Sequence, residues 1–114
     1  MSYVLSMRFA IRWRPAYDPS VSLIVKGLKE RFANDPLFQR EFVAREDVFE
    51  AVDDYQIDHL PPEYSIAVRE IVDRCVAEGP EAYQGVASPH AWERCFAELV
   101  DFQRVLAERL PPPK

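Results

Sequence analysis

Prolines set the boundaries of this chain. Asp18-Pro19, Asp35-Pro36, Pro61-Pro62 and Ser88-Pro89 each put a proline where a helix can begin. A proline at the first helical position loses nothing, because the first four amides of a helix have no partner within it. It also disfavours helix in the residue before it. The chain is therefore divided into short helical segments, and no single helix can run through it.

Each segment has an amphipathic pattern. After Asp18-Pro19, Val21, Ile24, Val25, Leu28 and Phe32 share a stripe opposite Lys26, Lys29 and Glu30, which predicts a helix to about Ala33. Asp35-Pro36 starts a short one to about Ala44, with Leu37, Phe38, Phe42 and Val43. From Glu46 to about Asp58, Val48, Val52 and Tyr55 form an apolar stripe with Phe49 beside it. Leu60-Pro61-Pro62 ends that segment. The next helix has Glu63 in its first turn, where a carboxylate suits the dipole. Its buried face is Tyr64, Val68, Ile71, Val72, Cys75 and Val76, and Gly79-Pro80 is a stop signal. Residues 79–89 form one substantial loop, and Ser88-Pro89 opens the last helix, to about Leu110.

Residues 3–13 differ. Tyr3, Leu5, Met7, Phe9, Ile11 and Trp13 alternate strictly with the residues between them, which is the period of a strand. No later run is β-branched, alternating and bounded by turn residues. A lone strand leaves its backbone groups unpaired. The expectation is thus a single N-terminal strand that pairs between chains, adds to a partner's sheet or stays disordered. The fold class expected is all-α: one domain over residues 1–114, a compact bundle of about five helices, with residues 1–15 as an extended or flexible arm and 111–114 as a flexible tail.

The last helix carries more apolar surface than one core face needs. Trp92, Cys95, Phe96, Leu99, Val100, Phe102, Val105, Leu106 and Leu110 span an arc of roughly 220° at ~100° per residue. A surface helix needs little more than ~100°. The helix is therefore either central to the bundle or covered on its second side by another copy or a partner. Gln103 lies within the arc and could fix register at such an interface.

Charge is unevenly distributed. Residues 1–45 hold eight basic and four acidic side chains, and residues 46–114 hold six and fifteen, giving +4 and −9, which sum to the net −5. Residues 46–64 alone contain seven carboxylates and no lysine or arginine. That balance disfavours nucleic acid and favours a basic partner, or simply solvates a surface. Arg8, Arg12 and Arg14 beside Phe9 and Trp13 are the one feature suited to single strands, too few on a net acidic chain. They could equally guard an exposed edge strand.

Motifs for chemistry are weak. The acidic run lacks the glycine and spacing of an EF-hand, and read as a helix its carboxylates spread along two edges. His59 beside Asp58, and His90 five residues from Cys95, do not converge as zinc ligands. There is no nucleophile elbow and no glycine-rich phosphate cradle. Cys75 and Cys95 fall within apolar stripes, as core thiols do. No catalytic residue, cofactor or metal is therefore expected. Arg8, Arg12 and Arg14 interrupt any signal-peptide core, and no apolar window approaches the ~18 residues of a membrane span. Free thiols suit a cytoplasmic location.

The function expected is that of a non-enzymatic acidic protein that binds and inhibits another protein. The target would be a transcription regulator, held by an anti-activator, or a toxin, neutralised by an immunity protein. Trp92, Phe96, Leu99, Phe102 and Leu106 are the expected apolar interface, some of which must be core, with a homodimer through this helix as the alternative use. Asp47, Asp53, Asp54 and Asp58 are the expected steering face. The competing expectation is a small enzyme or ligand binder using the Asp58/His59/Glu63 turn, or the 79–89 loop with Tyr83.

Overall fold

A computed structural model describes residues 3–16, 18–79 and 89–111. The elements are β1 (Val4–Ser6), β2 (Arg12–Trp13), α1 (Asp18–Arg31), α2 (Pro36–Glu41), a 3-10 turn (Val43–Arg45), α3 (Glu46–Ala51), β3 (Asp54–Gln56), α4 (Pro62–Glu78) and α5 (Pro89–Arg109). The fold is not all-α. Three strands form a mixed sheet in the order β2-β1-β3, so this is a helix-rich α/β domain.

Two local events overturn the all-α expectation. The first is that residues 3–13 do not run as one strand. They fold back as a hairpin, with Leu5 opposite Trp13 and Ser6 opposite Arg12. The turn is made by Phe9 and Ala10, both left-handed, with φ of 66° and 57°. Such φ values are strained for residues with a Cβ, and here neighbours hold them. The Met7 amide donates to the Ile11 carbonyl, the Arg8 amide to the Ser65 hydroxyl, the Arg8 side chain to the Leu60 carbonyl and Arg109 to the Ala10 carbonyl.

The second event lies in the 46–58 segment. Expected as one helix, it ends at Ala51, and Asp53 turns left-handed with φ of 54°. Residues 54–56 then pair in parallel with β1, placing Tyr55 opposite Leu5. The strand that seemed to need a second chain is thus the centre of an intramolecular sheet. On its outer face the Ser6 hydroxyl donates to Asp54 at 2.8 Å, and Arg12 lies 3.6 Å from the same carboxylate, so one polar cluster links all three strands.

Helices α1, α4 and α5 pack on one another and form the bulk of the core. Gly27 lets α1 and α4 meet: a Cβ there would lie 2.7 Å from Ile71 Cγ2. Asp35 caps α2 by accepting from the Phe38 amide and also accepts the Tyr64 hydroxyl at 2.6 Å, tying α2 to α4. An aromatic cluster of Phe32, Phe38, Phe42, Phe49, Tyr55 and Tyr64 fills the space between them and β3. Gly79, with φ of 67°, ends α4. The Ser88 cap, Tyr83 with most of the 79–89 loop, and residues 112–114 of the tail lie outside the described residues.

Candidate partner-binding surface

The acidic segment that was expected to present one wet helix face is instead a corner. Helix α3 has one and a half turns, and its Phe49 is the buried anchor, packed against Phe42 and Tyr55. Arg45 covers the same ring, 5.4 Å from its centroid. Anchoring through Phe49 turns Val48 and Val52 outward, and they are 55% and 58% exposed. These were the residues whose spacing predicts a core-facing stripe. Ala51, the last residue of α3, is exposed between them in sequence.

The carboxylates around this apolar spot have different environments. Asp47 and Glu50 are exposed on α3. Glu46 is bridged to Lys29 of α1 at 2.8 Å. Asp53 occupies the left-handed turn, Asp54 is held by Ser6 and Arg12, and Asp58 is exposed 3.7 Å from His59 Nδ1. Of the four residues expected to steer a partner, Asp47 and Asp58 are therefore openly available, Asp53 is half-buried, and Asp54 is engaged in the sheet.

On α5 the expected interface separates into two sets. Leu99, Phe102 and Leu106 are buried in the domain's own core, Phe102 stacking on Trp13 with ring centroids 4.1 Å apart. They meet no partner while the chain stays folded. Trp92 and Phe96 are half-buried against that core, and Val100 is exposed. Gln103 is half-buried, and its amide donates to Asp73 of α4 at 2.7 Å, a link within the chain. The arginine–aromatic face dissolves likewise, since Arg8 and Arg12 serve the hairpin and Trp13 packs on α5.

Neither of two grooves beside α1 is lined by Asp58, His59 or Glu63. One of about 460 Å³ runs between α1 and α4 over Gly27, Ile71 and Cys75, with ion pairs Arg31–Glu70 and Arg74–Glu78 along its walls. Another, of about 530 Å³, separates α1 from Tyr55 and Glu46. Burial pushes the Cys75 and Cys95 thiols upward, so neither is a ready nucleophile at neutral pH. Among the described residues no group of three His, Cys, Asp or Glu side chains converges to hold a metal, and no helix is long and apolar enough to cross a membrane.

No family model matches the chain, and neither a curated protein nor a solved structure matches it.

Proposed function

We propose that this chain is a non-catalytic domain that binds another protein and masks part of its surface, as an anti-activator masks a transcription regulator or an immunity protein masks a toxin. The observation that carries the reading is the exposed pair Val48 on α3 and Val52 just after it, within a segment of excess negative charge. Exposed apolar side chains grouped together and rimmed by charge are what an interface core and its rim require. Compared with the sequence-based expectation, the contact surface moves from α5 to α3 and the turn after it. The carboxylates of Asp47, Glu50 and Asp58 speed and orient encounter with a basic partner, and the valines slow its departure. Free thiols, Cys95 buried and Cys75 half-buried, fit a reducing cytoplasm.

The test uses the full chain as bait in native lysate, at low and high salt, with captured proteins identified by mass spectrometry. The expected result is one stoichiometric protein, retained by the wild-type chain and lost with the double change Val48→Asp and Val52→Asp, whose circular dichroism stays unchanged. Equal capture by the double variant would remove α3 from the interface and the reading with it.

A further inference from the structure

We infer that β3 accepts an extended, basic segment of a partner as a fourth strand. The inference rests on the partner-binding reading above and specifies its mode.

The backbone geometry of β3 is the starting point. In a parallel ladder, alternate residues turn both backbone groups toward the same neighbour. The Val4 amide donates to the Asp53 carbonyl, and the Ile57 amide to the Ser6 carbonyl. Residues 53, 55 and 57 therefore address β1. Asp54 and Gln56 address the other side, and among the described residues no hydrogen bond is made by their amides or carbonyls. Two donors and two acceptors thus line an outer edge, spaced as a strand needs them.

The two faces of this edge define what a fourth strand would carry. On the outer face Gln56 stands beside Asp54, which Ser6 and Arg12 already engage, and the carboxylates of Asp53 and Asp58 put negative charge at either end of the strand. Basic side chains fit there. On the inner face is Tyr55, and beside it opens the groove of about 530 Å³ lined also by Val25 and Ala33. The charges along that groove, Lys26 and Lys29 against Glu30 and Glu46, balance, and Val25, Ala33 and Tyr55 leave apolar surface between them, so an apolar side chain fits. Since strand side chains alternate between faces, the matching segment alternates basic and apolar residues. A second copy of this chain is the poorer occupant, because pairing β3 with itself brings two sets of Asp53 and Asp58 together.

The experiment is amide hydrogen exchange by NMR on the labelled full chain, with a synthetic peptide of alternating lysine and valine as probe and an alternating glutamate–valine peptide as control. Saturating lysine–valine peptide should slow exchange at the Asp54 and Gln56 amides by about tenfold or more, and the control should not. Gln56→Pro deletes an outward N–H that β1 does not use, so it should abolish the protection while the β1–β3 ladder persists. Asp58→Lys should weaken protection without touching the strand. Binding that protects other amides, or no binding at millimolar peptide, would overturn strand addition. So would protection of the same amides that rises with protein concentration alone, which would make the occupant a second copy. In the lysate capture, loss with the valine variants but retention with Gln56→Pro would sink strand addition and leave the α3 reading standing.

Discussion

Helix α5 and the 46–58 segment sit at opposite extremes of support. α4 and α1 pack along α5, Trp13 of β2 stacks on its Phe102, and Arg109 near its end reaches the hairpin turn. Helix α3 is held chiefly from one side, by Phe49, and its other side meets water. A long helix in the middle of a small domain needs a wide apolar arc because it has several neighbours. A one-and-a-half-turn helix at a corner needs a single anchor, and apolar residues beyond that anchor are left outside. The width of an apolar arc therefore reports how many neighbours a helix has, and exposed valines on a short helix are the better sign of an unfilled contact.

The same kind of substitution should give opposite results in the two regions. Leu99→Asp or Phe102→Asp places an unpaired carboxylate in the core, and we expect loss of cooperative melting and of the folded circular dichroism spectrum. A folded, monomeric variant would return those positions to an interface. Within α3 the anchor should behave like α5: Phe49→Ala should cost about 3–5 kcal/mol in urea unfolding, and a loss below about 1 kcal/mol would show that α3 is held by something else.

The Asp35–Tyr64 bond joins the supports of both regions. Tyr64→Phe should cost about 1 kcal/mol. Its pH dependence has a definite sign. Accepting the Tyr64 hydroxyl and the Phe38 amide holds Asp35 below its ordinary 3.8, so its contribution is present above that value and is lost as pH falls through the folded one. Burial, together with Asp35, pushes the Tyr64 hydroxyl above its ordinary 10.0, so its contribution is complete below pH 10 and is lost at still higher pH. Asp35→Asn should flatten the acid limb of the stability curve below about pH 4, and an unchanged limb would exclude this pair as its source. The smallest effect belongs to the outer face of α3: Val48→Asp and Val52→Asp should each change stability by no more than about 0.5 kcal/mol. A larger loss by thermal melting would mean that these valines are covered.

Much of the helical framework was legible, because it is written locally. Asp35-Pro36 starts α2 with its cap bond formed, Pro62 starts α4 and Gly79 ends it in a left-handed turn. The sheet was not legible, for two physical reasons. The hairpin turns at Phe9-Ala10, which lacks the glycine, asparagine or aspartate that usually announces positive φ. The strand Asp54-Tyr55-Gln56 has little intrinsic preference for extension and exists because β1 lies beside it. A helix over residues 54–56 puts Asp54 on an open face, whereas in the strand it binds Ser6 and Arg12. On α5, periodicity measured the apolar arc but could not say which neighbours cover it.

The position of β1 at the centre of the sheet affects the order in which the molecule can be made. The ribosome delivers residues 4–13 before β3, and until then they can close only as a narrow two-stranded ribbon, which is marginal alone in water. The third strand arrives some fifty residues later, and closing a loop of that length costs on the order of 3 kcal/mol in chain entropy. That ribbon must therefore wait, with Leu5, Met7 and Ile11 uncovered, until the aromatic cluster brings Tyr55 to it. A slowly translated stretch before residue 54 would prolong that wait, and aggregation of the nascent chain would begin at its N-terminal hairpin.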